Sequence, residues 1–424
     1  MRLIRSYLPL LLALLLAACG DHKHVKLDDH AQACPSCPAP QQTIPQPALP
    51  VPEVPKQPPV EKPSASKIPD YGLLKSADWS ALAGFEQADL AKAWPAWQQG
   101  CTTLKNRQPW QAACQAASQL PASPTDAMVQ SYFRQYFNVY QATNADGSDS
   151  GMITGYYEPL LKGSRTRSEL YRYPLYGRPA DLITVELASL FPELANKRVR
   201  GRLVGNKLLP YYNRAEIESG IAPIQGNELL WVSDPIDLFF LHVQGSGLVQ
   251  LNNGQEVHVG YADQNGMTYQ SIGRTLVERG ELTLDKASMQ GIKNWARSNP
   301  GKLQELLNTN PSYVFFRELP AGLPGPLGSL GVPILGERVV AVDPKYIPLG
   351  APVFLATTYP NSSAPLNRLM LAQDTGGAIK GGVRADFFWG AGEAAGQKAG
   401  SMKQSGRIWV LLPKGFVVPT GAGQ

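Results

Sequence analysis

A proline-rich tract near the amino end constrains this chain more than any other feature. Residues 35–69 contain 12 prolines in 35 positions. Proline lacks a backbone N–H and fixes its own φ, so such a tract cannot form helix or sheet ladders. It is typical of extended polyproline II, which at about 3.1 Å per residue could reach roughly 100 Å, or of a disordered spacer. Both conformations keep the tract outside the folded part, which we expect to begin at residue 71.

The segment before the tract has the pattern of a secretory signal. Arg2 and Arg5 precede a short leucine-rich run, and Leu-Ala-Ala then comes directly before Cys19. The residues around Cys19 resemble the lipobox of bacterial lipoproteins, which implies removal of residues 1–18 and acylation of Cys19 as a membrane anchor. By the same resemblance, Gly20 after the cysteine favours sorting of the lipoprotein to the outer membrane. Asp21 at the next position leaves retention at the inner membrane open. The alternative is an ordinary signal whose cleavage site adjoins a cysteine.

The charge balance excludes other classes of protein. Without residues 1–18 the chain has 37 basic and 34 acidic residues, a net charge of +3. Such a balance gives no support for nucleic-acid binding. No later stretch reaches the roughly 18 uninterrupted apolar residues of a membrane-spanning helix. We therefore expect neither a cytoplasmic nor a multi-spanning protein, and the remaining length from residue 71 suffices for two domains.

The folded part opens with helical patterns and then changes to strands. Apolar spacing predicts a helix over 129–140 and an earlier one from Trp79 that Pro95 kinks or ends. Later helical patterns lie at 272–277, 289–295 and 303–307. Short β-branched and aromatic runs predict strands at 202–212, 229–250, 338–342, 352–356, 366–372 and 407–412. Short glycine-linked strands suit a small closed barrel, because closure leaves no exposed edge.

Cysteines and histidines offer little chemistry in this part. Cys101 and Cys114 are its only cysteines, and in an oxidising compartment the pair predicts a disulfide between two helices. His242 and His258 are its only histidines, and no metal-site spacing such as His-Glu-x-x-His or phosphate-binding loop occurs. We therefore predict no metal and no cofactor. The Cys-Pro-Ser-Cys pair inside the tract has no second pair nearby, which disfavours a redox role.

Three aspartates within 44 residues are the candidates for catalysis. Asp343 and Asp374 each close an apolar run before a turn, and Asp386 is followed by Phe-Phe-Trp. Aspartate is also a common turn residue, so any one alone could be structural. Apolar walls or a neighbouring carboxylate raise the pKa of a carboxyl, as a general acid near neutral pH requires. Aromatic faces also stack on sugar rings, so the cluster favours a carbohydrate-cleaving cleft.

Further motifs follow in order along the chain. They are GYYEP at 155–159, VQGSG at 243–247, GYA at 260–262, SIG at 271–273, NPSYVFF at 310–316, VAVD at 340–343, QDTGGAIKG at 373–381, and GRIWV at 406–410 after Asp386. With these motifs the chain, from about residue 78 onward, resembles the membrane-bound lytic murein transglycosylase A family, whose C-terminal part carries a three-aspartate "3D" motif.

The resemblance implies a mainly β fold with α-helices and a domain organisation. A double-psi β-barrel domain would be built from residues 71–165, with a helical start, and 325–424. A second, smaller β domain at 166–324 would be inserted between them, and substrate would lie in the groove between the two domains. Residues 1–18 would be the signal and 19–70 the lipid anchor and tether.

The resemblance also implies an activity and a site. The chain would cleave the β-1,4 bond between N-acetylmuramic acid and N-acetylglucosamine in peptidoglycan and leave a 1,6-anhydro product. Asp386 would be the catalytic acid and base, with Asp374 and Asp343 supporting it. The implied groove residues are Tyr156, Gln244, Ser246 and Trp389. Lys380 and Arg384 could pair with substrate carboxylates or could be solvated surface charges.

The expected partners are peptidoglycan glycan strands and, through the lipid anchor, the outer membrane. We expect a monomer that binds no nucleic acid, and leave protein partners in wall remodelling open. One alternative activity is an inverting β-1,4-glycanase with Asp374 as base and Asp386 as acid. Another is a peptidoglycan-binding lipoprotein that does not cleave. An aspartic protease is disfavoured, since its dyad needs two Asp-Thr-Gly copies and this chain has one.

Overall fold

A computed structural model describes residues 70–187, 189–191 and 199–418. All of them belong to one compact unit. The predicted signal, Cys19 and the proline-rich tract lie outside the described residues. Within the described ranges no helix combines the length and the apolar character needed to cross a membrane.

The described residues form nine α-helices and seventeen strands. The helices are α1 (Trp94–Leu104), α2 (Gln111–Ala117), α3 (Asp126–Tyr136), α4 (Arg214–Glu218), α5 (Pro235–Gln244), α6 (Ile272–Glu278), α7 (Met289–Ser298), α8 (Leu303–Asn308) and α9 (Glu393–Ser401). The strands are β1 (Leu74–Ala77), β2 (Phe137–Ala142), β3 (Gly151–Glu158), β4 (Leu160–Ser164), β5 (Tyr173–Tyr176), β6 (Ile183–Thr184), β7 (Arg200–Val204), β8 (Lys207–Leu209), β9 (Glu228–Val232), β10 (Ser246–Leu251), β11 (Glu256–Gln264), β12 (Val314–Glu318), β13 (Val339–Val342), β14 (Pro352–Thr358), β15 (Pro365–Thr375), β16 (Ala385–Ala391) and β17 (Lys403–Pro413).

Six strands close into a barrel. The larger sheet runs β1-β2-β17-β14-β15-β13-β16-β3, and β17 also pairs with β3, so the six strands from β17 to β3 form a ring. The pairs β13–β15 and β16–β3 are parallel, and the other pairs of the ring are antiparallel. A closed six-stranded barrel with flanking helices confirms the predicted mainly β class with α-helices.

The barrel core is apolar and closed off by the amino-terminal helices. All four residues of β13 are buried, as expected for a strand covered on both faces. Trp94 and Trp97 of α1 are fully buried, and the indole N–H of Trp97 donates to the hydroxyl of Tyr132 at 3.1 Å. The Tyr132 hydroxyl in turn donates to the carbonyl of Ala113 at 2.7 Å, which joins α1, α2 and α3.

A second, six-stranded sheet occupies the middle of the chain, in the order β12-β11-β10-β4-β9-β5. Its apolar core is separate from that of the barrel. The chain passes from the barrel to this sheet at Pro159, between β3 and β4, because proline cannot continue a ladder. This crossing lies a few residues before the predicted boundary at 165. A small three-stranded sheet of β6, β7 and β8 is formed by the residues between β5 and β9.

One helix prediction and one strand prediction were wrong, each beside a proline that begins a helix. Pro95 does not end a helix from Trp79: it lies in the first turn of α1, where no backbone N–H is needed, and only short 3₁₀ turns precede it. The run 229–250 is not continuous strand, since α5 interrupts it. Asp234 accepts hydrogen bonds from the backbone of Ile236 and Asp237, and Gly245 ends the helix at a φ of 81°.

Other elements are close to prediction. The 129–140 helix ends as α3 at Tyr136, and the remaining residues continue as β2. The pattern at 272–277 corresponds to α6, and those at 289–295 and 303–307 correspond to α7 and α8. The four strands predicted after residue 325 correspond to β13, β14, β15 and β17, and β16 was not predicted.

Candidate active site

Two of the three aspartates lie level with each other on the barrel wall. Ala341 in β13 pairs with Asp374 of β15 on one side and with Asp386 of β16 on the other. Neighbouring strands are about 4.8 Å apart, so the two Cα atoms lie roughly 10 Å from each other. Thr154 of β3 pairs with Asp386 on its far side. The barrel thus brings together residues that are 232 positions apart in the chain.

Asp386 is held as a weakly compensated carboxyl. Its Oδ1 atom accepts a hydrogen bond of 2.5 Å from the hydroxyl of Thr154. Burial and, to a lesser degree, the negative charge of Asp374 raise the pKa of Asp386, the Thr154 hydrogen bond and the Arg384 charge oppose the rise, and the net pKa is about 6. The residue remains partly exposed. A substantial fraction of this carboxyl is therefore protonated near pH 6, as a general acid requires.

Asp374 is the opposite case, a carboxyl saturated with donors. Its Oδ1 accepts from the backbone N–H of Ser329 at 3.0 Å, from the Ser329 hydroxyl at 3.0 Å and from the backbone N–H of Thr375 at 2.9 Å. Its Oδ2 accepts from the hydroxyl of Tyr156 at 3.0 Å. Burial raises its pKa, and these four hydrogen bonds oppose that rise. Asp374 therefore has little capacity left to accept another proton donor.

Tyr156 binds Asp374 and lies within the electrostatic reach of Asp386. Its ring packs against Phe388 with centroids 5.0 Å apart. Burial, and then the charges of Asp374 and Asp386, raise the pKa of the phenol well above its usual value. The hydroxyl therefore stays protonated and donates to Asp374. Thr154, Tyr156 and Glu158 point to the same side of β3, because strand side chains alternate.

Glu158 lies on the same side of β3 as Thr154 and Tyr156, but it contacts the second sheet instead of the aspartates. Its Oε1 lies 3.5 Å from Nδ1 of His258 on β11, and its side chain is 2% exposed. Burial raises the pKa of Glu158 to about 7 and lowers that of His258. This contact joins the end of β3 to the second sheet.

Asp343 supports the loop between the aspartate strands. It follows β13 and is 5% exposed, and its carboxylate accepts from the backbone N–H of Gly381 at 3.1 Å and of Lys345 at 3.2 Å. Nζ of Lys380 lies 3.9 Å from the same carboxylate, on a side chain that is 65% exposed. Asp343 thus fixes the turn that separates Asp374 from Asp386.

Gln244 and Ser246 come from the second sheet and its helix. Oε1 of Gln244, the last residue of α5, accepts from the backbone N–H of Tyr157 on β3 at 3.1 Å. Ser246 begins β10 and pairs with Gly260. Both residues are partly exposed. The Gln244 hydrogen bond places this segment against the strand that carries Thr154 and Tyr156.

Trp389 does not share the side of β16 that carries Asp386. It is 5% exposed, its indole N–H donates to Sδ of Met402 at 3.3 Å, and its ring packs on Phe387 with centroids 4.5 Å apart. A residue three positions away in a strand faces the opposite side, whereas Phe388 faces the side of Asp386. The structure thus encloses the Trp389 side chain on the side of β16 opposite Asp386, and Phe388, on the side of Asp386, is itself only 2% exposed.

The cysteine pair and His242, also considered from the sequence, make structural contacts. Cys101 of α1 and Cys114 of α2 form a disulfide. Nδ1 of His242 lies 3.1 Å from the guanidinium of Arg214, and its ring stacks on Phe316.

Two site residues, Thr154 and Ser329, were missed by the sequence predictions, and Arg384 was predicted with a different role. Thr154 could have been found from its position two residues before Tyr156 in an alternating strand. Arg384 lies two residues before Asp386 and donates to Thr154 at 2.9 Å. Ser329 lies in a loop with no sequence signal.

Comparison with known proteins identifies relatives. The family model "MltA specific insert domain" matches residues 152–317, and the "3D domain" model matches residues 338–412. Membrane-bound lytic murein transglycosylase A of Escherichia coli K12 is 34% identical over 286 residues, which are 66% of this chain and 70% of that protein. The protein of the same name from Vibrio cholerae is 34% identical over 65% of this chain and 69% of its own length.

Solved structures agree with these relatives. MltA from Neisseria gonorrhoeae is 41% identical with a TM-score of 0.73, covering 82% of this chain and 94% of that one. A lytic transglycosylase of Burkholderia pseudomallei is 47% identical with a TM-score of 0.57, covering 81% and 96%. Escherichia coli MltA with bound chitohexaose is 27% identical with a TM-score of 0.58, covering 76% and 90%.

The relatives carry the name of a membrane-bound, murein-cleaving lytic transglycosylase, and their identity and coverage extend over both sheets of this chain. The chain belongs to the membrane-bound lytic murein transglycosylase A family.

Proposed function

We propose that this chain is a lytic transglycosylase that cleaves the β-1,4 bond between N-acetylmuramic acid and N-acetylglucosamine in peptidoglycan, with Asp386 as its single catalytic carboxyl. The observation that carries the proposal is the contrast between the two level aspartates. Asp386 is partly exposed and has a pKa of about 6, whereas Asp374 accepts four hydrogen bonds. Asp386 is therefore the better equipped of the two to exchange a proton with substrate.

The reaction follows from one carboxyl that changes role. Protonated Asp386 donates its proton to the glycosidic oxygen as the bond to C1 of the muramoyl residue breaks and an oxocarbenium-like centre develops. The resulting carboxylate then takes the proton from the C6 hydroxyl of the same sugar, and the C6 oxygen bonds to C1. The product is a 1,6-anhydro sugar, no water is consumed, and Asp386 is again protonated.

Asp374 and Tyr156 assist through charge and position. The negative charge of Asp374 raises the pKa of Asp386 and so favours its protonated form at rest. The same charge lies near the site where an oxocarbenium-like centre would develop, which stabilises positive charge in the transition state. The Tyr156 hydroxyl holds Asp374 in place, and the partly exposed ring of Tyr156, supported from below by the buried Phe388, would offer apolar surface to a sugar.

The second candidate function is that of an inverting glycanase, and the hydrogen bonds of Asp374 disfavour it. Such an enzyme needs a second carboxylate with a free oxygen to take a proton from water. Oδ1 of Asp374 accepts three donors, and Oδ2 accepts Tyr156. Oδ1 is thus fully occupied, and only the second lone pair of Oδ2, beside the Tyr156 hydroxyl, would remain for a general base.

The location that fits this substrate is the periplasmic side of the outer membrane. Cys19 would carry the lipid anchor, and the proline-rich tract of residues 35–69 would let the enzyme reach the wall. The glycan strand would lie along the barrel wall that carries Asp374 and Asp386, with Gln244 and Ser246 on the side of the second sheet.

Product mass tests the proposal directly. Purified peptidoglycan sacculi are digested with the full chain, and the soluble muropeptides are analysed by mass spectrometry. We expect products one water lighter than those of a hydrolase. Products at the hydrolysed mass would instead identify a glycanase, and retained binding to sacculi without soluble products would identify a non-cleaving wall-binding protein.

A further inference from the structure

A short relay of hydrogen bonds leads from a guanidinium to Asp386. One terminal nitrogen of Arg384, Nη2, donates to the hydroxyl oxygen of Thr154 at 2.9 Å. The Thr154 hydroxyl and Oδ1 of Asp386 are 2.5 Å apart. The other terminal nitrogen, Nη1, donates to the carbonyl of Met152 on β3 and to that of Ala385 on β16. The guanidinium is therefore hydrogen-bonded to both strands.

The direction of this relay is set by chemistry. A guanidinium has only donors, so the Thr154 oxygen must accept from Arg384. The hydroxyl proton of Thr154 goes to Oδ1 of Asp386, because among the described residues this is the only acceptor to which the Thr154 hydroxyl donates. An Oδ1 that accepts this proton cannot also carry the acid proton of the carboxyl on the same side, and the acid proton therefore stands on Oδ2.

We infer that Arg384 is a positioning residue for the reaction, which acts through Thr154 to place the catalytic proton of Asp386 on Oδ2 and to stabilise the carboxylate left after proton donation. This inference rests on the proposed role of Asp386. During the reaction the proton leaves Oδ2 for the glycosidic oxygen, and the proton of the C6 hydroxyl returns to Oδ2. Thr154 keeps its own proton throughout.

The charges around Asp386 agree with such a role. Arg384 faces it from the position just before β16, Asp374 from β15, and the hydroxyl of Tyr156 from β3. Arg384 and Thr154 lower the pKa of Asp386, whereas burial and Asp374 raise it. The relay thus opposes a rise that would leave Asp386 too weak an acid to release its proton.

The relay also leaves Arg384 fewer N–H donors for a carboxylate of the substrate, because three of its five are in use. Its Nη1 and Nη2 atoms already donate to Thr154 and to two backbone carbonyls. Of the two cations that the sequence suggested for this role, Lys380 and Arg384, Lys380 is the more available to substrate, because its side chain is 65% exposed.

Substitutions of Thr154 provide the first arm of the test. Thr154→Val keeps the shape of the side chain and removes the hydroxyl, and Thr154→Ser restores it. With sacculi as substrate, we expect Thr154→Val to lower kcat roughly 10- to 100-fold with little change in KM. The alkaline limb of its kcat/KM profile moves to higher pH, because the pKa of Asp386 rises. Thr154→Ser recovers most of the rate, and its alkaline limb lies at the wild-type pH.

Substitutions of Arg384 provide the second arm. Arg384→Gln keeps one amide donor but loses the charge, and we expect a limb shift in the same direction with a smaller loss of kcat. Arg384→Lys keeps the charge and recovers part of the limb shift. If Thr154→Val does not fold, as judged by its thermal unfolding, Thr154→Ser and Arg384→Gln still decide the inference through the position of the limb.

Two results would overturn the inference. One is a normal kcat and an unmoved limb in both Thr154→Val and Arg384→Gln. The other is a loss of rate with an unmoved limb that Thr154→Ser does not recover, which describes a merely structural contact. Asp386→Asn separates this failure from that of the proposed function: an active Asp386→Asn refutes the catalytic assignment itself, whereas an inactive one leaves only the relay in question.

Discussion

Asp386 in the barrel and Asp263 in the second sheet are both enclosed by protein, yet their surroundings act in opposite directions. Asp263 accepts from Nε of Arg178 at 2.9 Å, from Nε of Arg200 at 2.8 Å and from the backbone of Gln264. These donors lower its pKa despite its burial. Asp386 has one hydroxyl donor and no ion pair within 4 Å among the described residues, and its pKa is raised to about 6. Compensation, more than burial, separates a structural carboxylate from a reactive one.

The largest effect that tests this comparison is expected from Asp386→Asn. The amide keeps the shape of the side chain and can still accept from Thr154, but it cannot donate and recover a proton. We expect a loss of kcat of about 1,000-fold or more, since general acid and general base roles are both removed. Release of anhydromuropeptides from sacculi measures this loss, and unchanged thermal unfolding serves as the control. A variant with near-normal activity would contradict the assignment.

The matched change in the second sheet is Asp263→Asn, which we expect to act on stability instead of catalysis. It leaves Arg178 and Arg200 without their shared carboxylate and lowers the free energy of unfolding by about 2 kcal/mol at pH 7, less than for a fully buried pair because Arg178 is 40% exposed. Since the folded pKa of Asp263 is lowered, its contribution is present above the unfolded pKa and is lost as pH falls through the folded value.

Denaturant unfolding of wild type and Asp263→Asn at pH 7 and at pH 3 measures this contribution. The difference between the two proteins should shrink at the lower pH. A difference that is independent of pH would show that Asp263 stabilises the sheet by something other than its charge.

A smaller effect is expected from Asp374→Asn, which changes the compensation around Asp386 itself. Removal of the Asp374 charge takes away one cause of the raised pKa of Asp386. The alkaline limb of kcat/KM should therefore move to lower pH, opposite to the shift expected for Thr154→Val, and kcat should fall by about 10-fold through lost transition-state stabilisation. A complete loss of activity with hydrolysed products in the wild type would instead identify Asp374 as a general base.

Local sequence pattern explains much of the fold and only part of the site. The apolar runs before Asp343 and after Pro365 predicted β13 and β15, because fully buried strands are apolar on both faces. The helix α5 was missed because its Phe-Phe-Leu run resembles a strand, although Asp234 and Gly245 mark both of its ends.

The site depends on pairings that no local pattern contains. Thr154 and Asp386 become neighbours only when β3 closes against β16. The three clustered aspartates were noticed from their spacing, yet only the barrel register places Asp374 and Asp386 level and Asp343 beyond the strand end. Trp389 shows the converse: strand alternation could have assigned it to the face opposite Asp386, had β16 been predicted.

The pH dependence of kcat/KM for the wild-type enzyme on sacculi tests the central claim most directly, with Asp386→Asn as its inactive control. Because Asp386 must be protonated in the free enzyme to act as acid, and its pKa is raised to about 6, activity should fall along a single ionisation as pH rises through that value. A rate that stays constant from pH 5 to about 8, or that rises with pH through this range as a required carboxylate base would give, contradicts the account.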